Sequence, residues 1–162
     1  PTPASGEQAG RDTVARVTGI RDRTFAELDT ATLYAVLRLR SEVFGVEQDC
    51  VYVDPDGRDN EPGTRHVFID DVAGIDGPAA YLRVLVEPDG CHRIGRVVTG
   101  PAARGRGLAT ELLRHVHGTT PGRLVLDAQT YLEDWYLTLG YMRTGPDFDE
   151  DGIPHLPMER NG

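Results

Sequence analysis

Apolar positions recur along the chain in two rhythms, and the changes between them mark out its elements. Leu33, Val36 and Leu37 fall on one helical face behind Asp29, a good N-cap, so the spacing predicts a helix over 30–42. Arg40 lies on that apolar face and needs either an internal carboxylate such as Glu47 or a route to the edge. Residues 47–65 are rich in Asp, Gly and Pro and predict a long loop. Strand-like runs at 65–72, 79–86 and 93–99, parted by turn segments 74–78 and 88–90, predict an antiparallel meander. Leu108, Ala109, Leu112, Leu113 and Val116 return to helical spacing, with Gly118 as the expected C-cap. Leu124, Val125 and Leu126 give a short, fully apolar strand, and strand, helix and strand in succession imply a parallel pair. A last stripe, Leu132, Trp135, Tyr136 and Leu139, stops at Gly140, and the proline-punctuated remainder supplies two short closing strands. Residues 1–12 read as a flexible leader, followed by a strand candidate at 14–18, so one domain is expected over 13–162.

Composition supports that reading: 162 residues with 39% hydrophobic and 27% charged side chains suit one core rather than a disordered or fibrous chain. No apolar run approaches the roughly 20 residues that span a bilayer, and 1–10 lack the regions of a signal peptide, so the expectation is a cytoplasmic protein with no membrane partner. Cys50 and Cys91 are too far apart for a CxxC site and are expected as reduced thiols. Twenty-six acidic against 17 basic residues give a net charge of −9, which weighs against nucleic acid and toward a cationic or amine substrate. All 17 basic residues are arginine, excluding Schiff-base chemistry and a P-loop lysine. Asp54, Asp56 and Asp59 around Gly57 lack the full calcium-loop pattern with its terminal Glu, so they read as turn formers and no metal is expected.

One segment carries chemistry. Between the third meander strand and its helix, 100–109 reads Gly-Pro-Ala-Ala-Arg-Gly-Arg-Gly-Leu-Ala, where small residues let backbone N–H groups face an anion at a helix start. Arg93, Arg96, Arg104 and Arg106 make the surroundings locally basic. Val97, Val98 and Thr99, a proline three places before Arg104, and Arg104-x-x-Gly107-x-Ala109 resemble the acyl-CoA signature of the GNAT N-acetyltransferase superfamily. Gln129, followed seven residues later by Tyr136 and then by Leu139-Gly140-Tyr141, resembles the superfamily's second motif, with Gln in place of the commoner Asn. Leu39-Arg40, Val43-Phe44, Glu47-Gln48, Asp56, Asp59, His66, Ile94-Gly95-Arg96-Val97 and Gly152-Ile153-Pro154-His155 are similar to the ElaA-like branch.

The resemblance implies an α/β (α+β) fold with a mixed, mostly antiparallel central sheet of about six to seven strands and helices on both faces. It also implies direct transfer from acetyl-CoA to an amine, on a small molecule or a polypeptide, through a tetrahedral intermediate. Val97, Val98 and Thr99 would hold the pantetheine arm; Arg104, Gly105, Arg106, Gly107, Leu108 and Ala109 the pyrophosphate; Gln129 would assist. Tyr136 would protonate the leaving thiolate. Many members carry a Glu on the fourth strand, which here reads His-Arg-Ile-Gly-Arg-Val, so the base is sought among Glu47, His66 and His155. A non-catalytic acyl-CoA binding or sensing domain is the alternative, and a homodimer is compatible with either reading.

Overall fold

Eight strands hydrogen-bond into one sheet across residues 19–162, the part of the chain that the computed structural model describes. The leader at 1–12 and the strand expected at 14–18 lie outside the described residues. Strands β1 (Ile20–Thr24), β2 (Arg65–Ile69), β3 (Ala80–Val86) and β4 (His92–Thr99) run antiparallel in chain order. Strand β5 (Arg123–Gln129) joins β4 in parallel, and β8 (Ile153–Asn161) pairs β5 antiparallel. The short β6 (Met142–Arg143) and β7 (Phe148–Glu150) both pair β8. The sheet is therefore mixed and mostly antiparallel, as expected, with one more strand than the six or seven anticipated.

Helices α1 (Thr30–Arg40), α2 (Leu108–Thr119) and α3 (Glu133–Thr138) pack around it. Side chains alternate across the strands: Val67, Ile69, Leu82 and Val84 pack with α2's Leu112, Leu113 and Val116, whereas Phe68, Tyr81 and Val98 pack with α1's Val36 and Leu39. Helices thus cover both faces, which is why β3 is buried along nearly its whole length. Asp29 caps α1 by accepting the Thr32 N–H at 2.7 Å. The chain does not stop at Glu42 but continues as a π-helical segment, Ser41–Glu47, because nothing terminates it before Asp49 at φ 51°. Helix α2 likewise runs through Gly118 and ends where Thr120 becomes extended ahead of Pro121. Strand β5 is longer than expected and alternates, with Leu124, Leu126 and Ala128 buried between more open Val125, Asp127 and Gln129.

Two irregularities shape the middle of the sheet. Arg83 pairs Gly95 and Tyr81 pairs Val98, so Arg96 and Val97 together stand opposite Leu82, and this β-bulge carries Arg96 at φ 53°. Strands β4 and β5 share register only at His92 with Leu124 and Arg93 with Val125, and then diverge.

A cycle of alternating charges anchors the 48–64 loop to this region. Arg40, fully buried on α1, donates from Nε to Asp54 at 2.8 Å and from Nη1 to Asp59 at 2.7 Å. Arg83 on β3 bonds Asp59 at 3.0 Å and Asp56 at 2.7 and 2.8 Å. Arg96 closes the cycle, reaching Asp56 at 3.3 Å and lying 2.8 Å from Asp54 through an Nε whose N–H is not aimed at the oxygen, a Coulombic contact. Arg40 therefore finds its internal carboxylates in Asp54 and Asp59, not in Glu47, and the three aspartates serve as ion-pair partners as well as loop formers.

Burial pushes Asp59 up, but hydrogen bonds and charges from Arg40 and Arg83 outweigh it and hold the carboxyl below its usual range. The Arg83 hydrogen bond does the same for Asp56. A lowered folded-state pKa contributes stability that is complete above the unfolded carboxylate value near 3.9 and is lost as pH falls through the folded one. Melting temperature is accordingly expected to fall as the pH drops below about 4. Asp59→Asn, which strips a charge from two buried guanidiniums, should cost about 3–5 kcal/mol, or roughly 10 °C in Tm, at pH 7. A variant that melts alongside the wild type in calorimetry at that pH would show that the cycle does not hold the loop.

Candidate active site

Where β4 leaves β5, its edge from Ile94 onward has no partner strand on that side, although backbone N–H and C=O groups at such an edge require one. A cavity of about 750 Å³ opens there, within the range usual for ligand sites. Val97, Val98 and Thr99 of β4 border it, with Gln129 at the end of β5. An extended ligand carrying amide groups fits an unpaired edge of this kind, because it supplies the missing ladder partners.

Of the glycine-rich segment, Arg104 and Ala109 border the cavity, whereas Gly105, Arg106, Gly107 and Leu108 do not line it. Gly105 and Gly107 have φ of 76° and 73°, and a Cβ built on either would meet no atom within 4 Å, so open space lies over both. Helix α2 begins at Leu108 with no side-chain cap, and its first internal bond runs from the Glu111 N–H to the Gly107 carbonyl at 3.1 Å. The N–H groups of Leu108, Ala109 and Thr110 therefore precede the intrahelical ladder, at the positive end of the helix dipole beside Arg104 and Arg106. That donor set suits a pyrophosphate. Arg104 donates from one Nη2 to both oxygens of Glu47, at 2.7 and 3.0 Å, and from Nε to the Thr99 carbonyl at 3.4 Å. Gln129 donates from Nε2 to Gln48 at 3.3 Å, linking β5 to the end of the π-helical segment.

Tyr136 on α3 is 4% exposed, borders the cavity, and its hydroxyl has no hydrogen-bond partner among the described residues. Its ring is held at 4.7 Å from Trp135 and edge-on at 5.6 Å from Tyr141, whose own hydroxyl is paired with His117 at 2.9 Å. Burial pushes the Tyr136 phenol well up, so it keeps its proton at neutral pH. His155 on β8 also borders the cavity. Its Nδ1 lies 2.8 Å from the Ile153 carbonyl, which only accepts, so Nδ1 carries a proton and, in the neutral ring, Nε2 carries the lone pair. Glu150 stands 3.6 Å from that Nε2.

His66 is placed elsewhere. It is buried in the sheet, with Nδ1 paired to the Tyr81 hydroxyl at 2.8 Å and Nε2 to the Asp59 carbonyl at 2.9 Å, and it does not border the cavity. Burial pushes its pKa down, which suits a neutral packing residue. Cys50 borders the cavity but gives its S–H to the Asp151 carbonyl at 3.2 Å, while Cys91 lies apart, its thiol pushed up by burial.

The acetyltransferase (GNAT) domain family matches residues 73–161, which include the unpaired edge, the glycine turn, Tyr136 and His155. The chain belongs to this family. A UPF0039 protein of Mycobacterium tuberculosis is 42% identical over 142 residues, covering 84% of this chain and 88% of that protein. The crystal structure of Escherichia coli ElaA is similar with a TM-score of 0.79 at 34% identity, covering 88% of this chain and 98% of that one. An acyl-CoA N-acyltransferase from Pseudomonas aeruginosa gives 0.78 at 36%, covering 87% and 98%. The GNAT fold thus carries an acyltransferase, with acyl-CoA as co-substrate.

Arg83, Arg96 and Asp56 also border the cavity; the sequence placed Arg96 in a locally basic stretch and Asp56 in a turn, and gave Arg83 no role. One signal was available: Arg83 interrupts an otherwise apolar strand. Gln48 has no such signal, because its position opposite Gln129 depends on the fold. Gly107→Ala should leave the protein folded, since the methyl meets nothing and costs only the left-handed backbone, about 1–2 kcal/mol. Its affinity for CoA, measured by calorimetry, is expected to fall about tenfold or more. Unchanged affinity in the folded variant would remove the pyrophosphate assignment.

Proposed function

We propose that this chain is an N-acetyltransferase that moves acetyl from acetyl-CoA directly to an amine. The reading rests chiefly on one juxtaposition: an unpaired strand edge runs into a helix N-terminus suited to pyrophosphate, while an unpartnered tyrosine hydroxyl borders the same cavity. Acetyl-CoA supplies an acyl group activated as a thioester.

The chain's residues divide the work. N–H groups around Val97 to Thr99 bind the pantetheine amides and polarise the carbonyl as charge develops on its oxygen. Arg104 to Ala109 hold the pyrophosphate, and Gln129 borders the arm between them. His155 is the base: its Nε2 lone pair takes the amine proton directly or through one water, and Glu150 stabilises the imidazolium that forms. Tyr136 returns a proton to the departing sulfur. Its raised pKa is matched by the thiolate, which develops in the same desolvated cavity and whose proton affinity rises for the same reason. No nucleophilic side chain is required.

Tyr136→Phe removes a hydroxyl that satisfies no protein group, so Tm and acetyl-CoA affinity should hold while kcat falls about 10²- to 10⁴-fold. His155→Gln should lower kcat by about 10²- to 10⁴-fold with acetyl-CoA affinity retained. A Phe or Gln variant with nearly intact kcat would withdraw the corresponding role. Tight acetyl-CoA binding without turnover on any amine would instead favour a sensing domain.

A further inference from the structure

The Tyr136 hydroxyl meets no hydrogen-bond partner among the described residues, so packing and backbone alone decide where that phenol points. Tyr141 supplies both. Helix α3 closes through Gly140 at φ 86°: the Gly140 N–H donates to the Leu137 carbonyl at 3.0 Å, and the Tyr141 N–H donates to the Tyr136 carbonyl at 3.2 Å. This closure brings the Tyr141 ring edge-on to the Tyr136 ring, with centroids 5.6 Å apart. Trp135, the other aromatic neighbour at 4.7 Å, precedes Tyr136 on the same six-residue helix and cannot anchor that helix from outside.

Tyr141 is anchored in turn. It is buried, and a buried phenol requires a partner, which His117 provides through Nε2 at 2.9 Å. His117 lies in the last turn of α2, directly after Val116, which packs with Leu112 and Leu113 in the core. Burial and the Arg160 guanidinium push His117 down to about 4, so its ring is neutral at pH 7. Neither His117 nor Tyr141 borders the cavity. One hydrogen bond thus connects a helix packed on the sheet to the short helix that carries Tyr136.

We infer that His117 is a positioning residue for the reaction: its hydrogen bond fixes the Tyr141 ring, and that ring fixes the Tyr136 phenol at the cavity. The inference rests on Tyr136 as the acid and adds the two residues that aim it, neither of which touches the reacting atoms. Tyr136 and Tyr141 meet through their rings, so the link transmits position and no proton.

Turnover is read as CoA thiol released from acetyl-CoA with the best acceptor of a panel of primary amines. Tyr141→Phe keeps the ring and deletes the link, and His117→Leu deletes it from the other side. Each should lower kcat about tenfold while the KM for acetyl-CoA and its calorimetric affinity stay unchanged, because a catalytic group is displaced and no binding group is lost. His117→Gln, whose amide can place a nitrogen where Nε2 stood, should recover most of that loss. The deciding measurement is a double-mutant cycle: on a Tyr136→Phe background, His117→Leu should change kcat by less than about twofold, since no phenol remains to be aimed. An equal loss on both backgrounds makes His117 a packing residue and overturns the inference. So does wild-type kcat in His117→Leu and Tyr141→Phe, or a Gln variant no better than the Leu variant. A Tyr136→Phe protein with nearly intact kcat, or a wild type that binds acetyl-CoA and acetylates no amine, defeats the underlying acid or acetyltransferase reading instead, and the inference falls with it.

Discussion

Three arginines and three aspartates, linked in one closed cycle with no net charge, are the constraint on which the site depends. Each guanidinium comes from a different regular element: Arg40 from α1, Arg83 from β3 and Arg96 from β4. Each carboxylate comes from the single loop between Gln48 and Thr64. A buried ion pair contributes little net stability over an apolar one, yet removal of Asp54 or Asp59 strands the charge of a buried guanidinium, so such a cycle specifies an arrangement more than it strengthens it. Here it fixes a long irregular loop against a helix and two strands, and it occupies Arg96 in a left-handed conformation costing about 1–2 kcal/mol. The bulge in β4 and the part of the cavity lined by Asp56, Arg83 and Arg96 are thereby set together.

The other half of the cleft is built from backbone. Divergence of β4 from β5 leaves main-chain donors without a sheet partner, and the start of α2 adds more. Main-chain groups are positioned by the fold itself and are indifferent to the side chain they carry. The side chains proposed for the chemistry, Tyr136 and His155, border the same cavity.

The same division explains what the sequence disclosed. Gly105, Gly107 and Ala109 are legible because a backbone site leaves a composition: residues without bulk at fixed spacing before a helical stripe. The meander, the parallel pair and the helices were legible through periodicity, whereas their ends were not, since the continuation through Ser41–Glu47 and the late stop at Thr119 follow from where a terminating conformation is available. Tyr136 stood out through its distance from Gln129, while His66 and His155 were indistinguishable in sequence. One has both nitrogens occupied inside the sheet and the other keeps a lone pair toward the cavity, a difference set by partners 7 and 2 residues away and by strand register. The partner of Arg40 was misjudged for a related reason. Glu47 was the nearby carboxylate offered, but a helical continuation carries it to the border of the cavity, and the loop returns Asp54 and Asp59 to the interior.

The chain has no lysine, so every permanently cationic side chain in the sequence ends in a guanidinium. Ammonium side chains equilibrate with free amines, and a free amine beside an activated thioester is a competing target. Guanidinium, charged throughout the accessible pH range and delocalised over three nitrogens, offers no lone pair of comparable reactivity. Whatever acyl donor the cleft holds, the arginines that border it do not compete with an acceptor amine for its acyl group. The sequence thus offers no lysine amine that an activated acyl group could modify in an acceptor's place.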